Sequence, residues 1–328
     1  RKFDIVKLIH SSPILYGRGT RVWIVKDNVG KFYILKDSWI ISPNSTSEIE
    51  MIKHIEKTIN DDPEGFLYKH SCPTYFIGQE CVHSTDMIRG RLDKPATRLQ
   101  RRIVTGTIGD PITSFRSRAE FVSVCLDLVN VLEFLSKKAH VIHGDLSINN
   151  ILINRSQRRA LAGAVSHNTR SVPSAVVPSA AVDSPHQVYG GTMDHIECSG
   201  MLIDCDFMRF QDQPSHQTSG TLPFMPLESL WMSPNTPFTH RAGHDLEGLL
   251  STIITVCNYT SGPAGQLRAP LPGDEDMLIN VWFTKEKRRY LACLKSIHLE
   301  AFDEAIQPSL PKYWEDFAPF IQRLIDVT

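Results

Sequence analysis

The longest regular pattern in the chain is helical. Phe121, Val122, Cys125, Leu128, Val129, Leu132 and Leu135 recur three and four residues apart, which predicts an amphipathic helix over roughly 117–138. Two short β-branched runs follow, Val141-Ile142 and Ile151-Leu152-Ile153, and between them lies a polar loop from His143 to Asn150. The first third reads as strands with one helix. Tyr16-Gly17-Arg18-Gly19-Thr20 is a glycine turn, Val22-Trp23-Ile24-Val25 a strand, and Asp27-Asn28-Val29-Gly30 a hairpin turn. Phe32-Tyr33-Ile34-Leu35-Lys36 is the next strand, with Lys36 at its end. Ser45-Thr46-Ser47-Glu48 has the form of a capping box, Ser45 as N-cap and Glu48 as its reciprocal acceptor. The helix it opens carries Met51, Ile52, Ile55 and Ile59 on one face.

Ile103-Val104 leads into Thr105-Gly106-Thr107-Ile108-Gly109-Asp110-Pro111, a glycine-rich candidate hinge. It divides the chain into a β-rich unit, 1–105, and a more helical unit, 106–328. Residues 155–199 break the second unit. Ala164–Pro185 is dominated by Ala, Val, Ser and Pro without a period, so the segment reads as a flexible low-complexity insertion, with a regulatory or docking role as a second reading. Order returns at Met201-Leu202-Ile203. An apolar helix around 245–257 and further helical segments complete the chain, and no internal repeat is present.

Composition narrows the class. Of 328 residues 41% are hydrophobic and 22% charged, as in a soluble globular protein, and the formal net charge of -1 gives no field that draws the chain to nucleic acid or a membrane. Arg98, Arg101 and Arg102 form a local basic cluster, read as a solvated edge. No apolar run reaches the roughly 18 residues of a membrane span. The chain opens at Arg1 without a signal peptide, so the expectation is an intracellular protein, and Arg1 in place of Met is consistent with a fragment. The seven cysteines (72, 81, 125, 198, 205, 257 and 293) are odd in number and form no C-x-x-C, which points to reduced thiols and away from zinc.

The candidate chemistry starts from the polar loop. It holds Asp145 and, five residues later, Asn150. Phosphoryl transfer to a hydroxyl needs a carboxylate near the attacking oxygen and an oxygen ligand for Mg²⁺, and this loop offers both. An ordinary polar β-turn is the plain alternative. Leu202-Ile203-Asp204-Cys205-Asp206 follows the insertion, an apolar pair ending in Asp, where a second metal ligand belongs; a D-x-D surface turn is its plain reading. Gly220-Thr221-Leu222-Pro223-Phe224-Met225-Pro226-Leu227-Glu228 matches G-T-x-x-[YF]-x-A-P-E at Gly220, Thr221, Phe224 and Glu228. Asp245 opens the apolar helix, as a brace for the loop or as a simple helix N-terminal acid. Gly17 and Gly19 are the first two glycines of G-x-G-x-x-G, with Val22 at the third position. Glu48 sits on an edge of its helix's apolar face and is a candidate partner for Lys36. That role competes with capping, and Glu50 is the alternative partner.

Together these residues resemble a eukaryotic-type protein kinase domain, and more narrowly the fungal-type protein kinase family, over roughly 12–260. The carriers are Tyr-Ile-Leu-Lys-Asp-Ser-Trp (33–39), the loop with Ser147 after Asp145-Leu146, Leu-Ile-Asp-Cys-Asp (202–206), Gly-Thr-Leu-Pro-Phe-Met (220–225) and His-Asp-Leu-Glu (244–247). The resemblance implies an α+β, bilobal protein-kinase-like fold with a small β-rich N-lobe and a larger helical C-lobe. It implies ATP with Mg²⁺ and transfer to Ser or Thr of a protein or peptide, with no nucleic-acid or membrane partner. Lys36, fixed by Glu48, would hold the α/β-phosphates under Gly17 and Gly19. Asn150 and Asp204 would hold the metal. Asp145 would be the base, with Thr221 against it. There are departures: Gly144 replaces the Arg of H-R-D, Ser147 a Lys, Cys205 the Phe and Asp206 the Gly of D-F-G. Gly144 removes a cation from beside the base, so phosphorylation at Thr218 or Ser219 is expected to be dispensable. Two rivals remain. A small-molecule phosphotransferase favours H-G-D and I-D-x-[DE] but lacks the segment Gly220–Glu228. A pseudokinase scaffold is opposed by the presence of Lys36, Asp145, Asn150 and Asp204. The pattern is silent on oligomeric state.

Overall fold

Five antiparallel strands build the N-terminal sheet: β1 (Asp4–Ser11), β2 (Arg21–Lys26), β3 (Phe32–Ile41), β4 (Tyr75–Ser84) and β5 (Arg98–Thr105), in the order β1-β2-β3-β5-β4. The computed structural model describes all residues except 14–16, 42–46, 90–96, 156–197, 212, 214–219, 234–235, 270–277 and 284–286. The β2–β3 hairpin turns where the sequence placed it: the Asp27 carboxylate accepts the N–H groups of Val29 (3.0 Å) and Lys31 (2.9 Å). β3 runs on past Lys36 to Ile41, so Lys36 lies mid-strand rather than at the strand end. Helix α1 (Glu48–Asp61) packs on this sheet through Met51, Ile52, Ile55 and Ile59, all buried. The short α2 (Thr85–Arg89) links β4 and β5.

The glycine-rich segment then carries the chain into a helical region. Gly106 N–H donates to the Thr74 carbonyl (2.8 Å), which ties the crossing to the start of β4. Strand β6 (Asp110–Pro111) pairs with β8 (Ile151–Asn154), and β8 with β9 (Ser199–Leu202). Helix α3 (Arg118–Phe134) is capped by the Ser117 hydroxyl, which accepts from Glu120 N–H (3.1 Å), and ends in a π turn, Leu135–Ala139. Its face of Phe121, Val124, Cys125, Leu128, Val131 and Leu132 is buried. Strands β7 (Val141–Ile142) and β10 (Arg209–Phe210) pair, so the polar loop emerges between β7 and β8. Next come α4 (Leu227–Trp231), α5 (Ala242–Tyr259), α6 (Leu278–Phe283), α7 (Arg288–Glu300), α8 (Phe302–Ala305) and α9 (Ala318–Val327). A β-rich lobe and a helical lobe, joined at one crossing, make the bilobal kinase-like arrangement.

Both ends of the expected insertion are built into the core. Arg155 pairs with Glu120 (3.2 Å) and Asp110, and Cys198 is buried. Residues 156–197 lie outside the described residues, as do Thr218 and Ser219. The six described cysteines are all free thiols, five of them buried. Among the described residues no helix is long and apolar enough to cross a membrane.

Candidate active site

The sequence offered two overlapping Ser-x-x-Glu boxes at the start of α1, and the structure uses the second. The Ser47 hydroxyl accepts from Glu50 N–H, and the Glu50 carboxylate accepts from Ser47 N–H, each at 3.1 Å. The capping box expected at Ser45 and Glu48 is therefore two residues later, and Ser45 lies outside the described residues. Glu50 does the capping, so Glu48 is free to turn inward. Lys36 Nζ donates to its Oε1 at 2.9 Å.

Lys36 also meets Asp204 Oδ1 (2.6 Å) and Asp206 Oδ2 (2.8 Å). Burial pulls the Lys36 pKa down, but Asp204, Asp206 and Glu48 outweigh it and leave it raised. Burial pushes Glu48 up to about 7, helped by Asp206 and Asp204 and opposed by Lys36 and Arg101. Asp206 goes the other way: burial opposes ionisation, yet Lys36, Arg101 and Arg18 hold it below the ordinary carboxylate range.

Arg101 overturns the reading of a solvated basic edge. Its side chain is 4% exposed and pairs with Glu48 Oε2 (2.7 Å) and with Asp206 Oδ1. The cause is strand alternation. Arg101 stands opposite Ser38 and so shares the sheet face of Lys36 and Ile103. Arg102 points to the other face, where its exposed guanidinium pairs with Asp37 (2.5 Å).

The polar loop is held from three sides. Asp245, buried at the start of α5, accepts His143 N–H on Oδ2 (2.7 Å) and Gly144 N–H on Oδ1 (2.9 Å). This is the brace and not a simple helix-end acid. Gly144 adopts φ +75°, a conformation that side chains disfavour, and an added Cβ would lie 3.0 Å from the Phe207 carbonyl. The same position is 3.3 Å from an Arg209 nitrogen. A cation therefore does stand beside the loop, supplied by β10, although Gly144 has replaced the expected arginine. Asn150 Nδ2 donates to the Asp145 carbonyl (2.8 Å) and to its Oδ2 (3.2 Å). Thr221 completes the set, its N–H (2.8 Å) and hydroxyl (3.0 Å) both donating to Asp145 Oδ1. Burial raises the Asp145 pKa and the Thr221 donors hold that rise in check. Ser147 is buried as a turn residue, its carbonyl accepting Asn150 N–H (2.9 Å).

Gly17 and Gly19 lie between β1 and β2, and β2 sets Val22 opposite Lys36 of β3. Asp204, which pairs with Lys36, is 22% exposed. The carboxylate oxygens of Glu48, Asp204 and Asp206 lie within 4.8 Å of one another. An all-oxygen set of this kind fits Mg²⁺.

The segment Gly220–Glu228 is anchored by residues to which the sequence pattern assigned no role. Glu228, at the place of the A-P-E acid, is half-exposed and meets His244 Nε2 at 3.0 Å. The anchoring falls to Glu247, which accepts Leu227 N–H (2.6 Å), and to Lys295, which donates to the Met225 carbonyl (2.8 Å). Lys295 is fully buried, and burial pushes its pKa down to about 8 against the pull of Glu247. Arg18, Arg101, Glu247 and Lys295 were thus not assigned as site residues. Glu247 stands in the motif 244–247 without a role there; the partners of the other three lie far off in sequence, and no local spacing marks them.

Comparison with curated proteins returns no match. The fungal protein kinase family model matches residues 58–257, a span that takes in Asp145, Asn150, Asp204, Thr221 and Asp245 and leaves Gly17 to Glu48 outside. That match covers more than half of the chain and falls on the braced loop and the segment bonded to it: the chain belongs to the fungal protein kinase family.

Proposed function

We propose that the protein transfers the γ-phosphoryl group of ATP to Ser or Thr hydroxyls of a protein or peptide, with Mg²⁺ as cofactor. The observation that carries this reading is the setting of Asp145. Thr221 fixes one of its oxygens and Asn150 the other, so the carboxylate is oriented and its proton affinity raised by burial. A general base needs that combination of fixed geometry and tuned affinity. Asp145 orients the acceptor hydroxyl and takes its proton. Lys36, aligned by Glu48, supplies positive charge for the α/β-phosphates, and Gly17 and Gly19 let the backbone approach them. Asn150 and Asp204 would hold Mg²⁺, whose chemistry is to bridge and neutralise phosphate oxygens.

The link from Asp145 to Thr221 also favours a peptide acceptor over a small molecule. It couples the base to a segment pinned by Glu247 and Lys295, a rigid shelf beside the acceptor position. The convergence of Lys36, Asp145, Asn150 and Asp204 supports catalysis over a scaffold role. Buried reduced thiols suit an intracellular setting.

Labelled ATP offered with peptide, small-molecule and acceptor-free mixtures tests the reading. Label should enter peptides. Asp145→Asn should abolish transfer and keep nucleotide binding, whereas Asp204→Asn should lose Mg²⁺-dependent binding in calorimetric titration. Label found only on small molecules, or binding without any transfer, overturns the proposal.

A further inference from the structure

Arg18 lies between Gly17 and Gly19 in the segment that joins β1 to β2. Its backbone is fixed: Trp39 N–H of β3 donates to the Arg18 carbonyl (2.7 Å), and Gly19 turns the chain with φ +54°. Its side chain is not buried but 35% exposed, and it reaches across the cleft. There Nη1 meets Asp206 Oδ2 at 2.6 Å, and the guanidinium lies 4.7 Å over the Phe207 ring.

Lys36 Nζ meets that same Oδ2 at 2.8 Å. Two cations, one from the glycine turn and one from β3, are thus spaced about a single anionic oxygen. The opposite oxygen, Oδ1, belongs to Arg101, which sits deeper and also holds Glu48. Asp206 therefore has a permanent partner inside and two further partners at the cleft. If only a structural clasp were needed, Lys36 and Arg101 would already neutralise it. Arg18 adds an exposed guanidinium at the point where a polyanion enters beneath the turn.

We propose that Arg18 is a second phosphate-binding cation, acting with Lys36, and that Asp206 occupies their shared anion position until nucleotide arrives. The polyphosphate then takes Lys36 and Arg18, and Asp206 remains with Arg101. A polyphosphate offers several charges where Asp206 offers one, and a guanidinium grips phosphate oxygens through paired N–H groups. No covalent step is involved. The inference rests on the nucleotide-binding reading above.

Calorimetric titration of the full chain with ATP, ADP and adenosine tests it. Arg18→Gln should weaken ATP binding tenfold or more and ADP binding by less, and leave adenosine unchanged. Arg18→Lys keeps the charge without the paired N–H groups and should fall between, and it carries the same comparison should Arg18→Gln fail to fold. Equal loss for ATP and adenosine, or no loss for either, overturns the role of Arg18 alone. Wild type that binds no ATP overturns the nucleotide reading itself and this inference with it.

Discussion

Asp245 is the point at which the polar loop is most exposed to perturbation. Its carboxylate serves two buried N–H groups, those of His143 and Gly144, at 2.7 and 2.9 Å. Asp245→Ala strands both. A buried donor left without a partner costs about 1–3 kcal/mol, so the loss falls at roughly 2–6 kcal/mol. That is a large share of the ~5–15 kcal/mol that holds a typical domain. Asp245→Asn keeps one acceptor oxygen and sets an NH₂ against the other donor, so about 1–3 kcal/mol is lost. The rate should suffer more than the fold. Asp145 follows directly on the two braced residues, and a displacement of ~1 Å at a reacting group costs on the order of 10²-fold. Nucleotide affinity should fall less than the rate, since Lys36 is positioned by β3 and not by the loop. Urea unfolding gives the stability loss, and steady-state kinetics with a nucleotide titration gives the rest. An Asp245→Asn variant with the wild-type midpoint and full rate would refute the brace, and so would a parallel fall in rate and nucleotide affinity.

Other expectations follow from the same geometry. Gly144→Arg, which restores the arginine of the kinase pattern, should destabilise by about 1–3 kcal/mol, because a side chain at φ +75° is strained and its Cβ meets the Phe207 carbonyl; an unchanged melting temperature would sink this. Thr221→Ser should retain most activity and Thr221→Ala lose at least tenfold, since serine keeps the hydroxyl that donates to Asp145 and alanine removes it; equal rates for the two variants would show that the Thr221 N–H suffices. Lys295 has its folded pKa near 8, below the ordinary lysine value of 10.5. Between those values the unfolded chain binds the extra proton, so its contribution to stability should rise with pH across that window. The stability difference between wild type and Lys295→Met should therefore shift in favour of wild type from pH 8 to 10.5, and denaturant titrations showing no such slope would refute a depressed Lys295.

The parts of the molecule legible in the sequence are those whose physics is local. The β-branched runs at 141–142 and 151–153 became β7 and β8, and the loop between them carries Asp145 and Asn150. The periodic face of α1 is buried as spaced, and α3 occupies most of the helical pattern before its π turn. The capping box expected at Ser45 and Glu48 fell two residues early for a concrete reason: Ser45 and Ser47 each precede a glutamate by three residues, and Glu48 is taken up by Lys36. β1 carries no alternating signal because every residue in it is exposed. The ion pairs around Asp206 were illegible for another reason. Arg18 lies 188 residues from Asp206 and Arg101 lies 105 away, so their convergence is a product of the fold.

Among the described residues around Asp206, Arg18, Lys36 and Arg101 face Glu48, Asp204 and Asp206, and every one of these groups is ion-paired within the set. Each cation of the cluster has a carboxylate partner before any ligand arrives, and Arg101 has a further one in Glu80 at 3.9 Å. A divalent cation entering alone must compete with an ammonium already in place, and a nucleotide entering alone brings uncompensated negative charge to a balanced site. Entering together, the pair brings less net charge than the nucleotide alone, and each component meets opposite charges in the cluster. Metal and nucleotide affinities are then thermodynamically linked, and the factor by which Mg²⁺ tightens ATP must equal the factor by which ATP tightens Mg²⁺. On the proposed reading, a site built this way would favour the complexed nucleotide over either component entering alone.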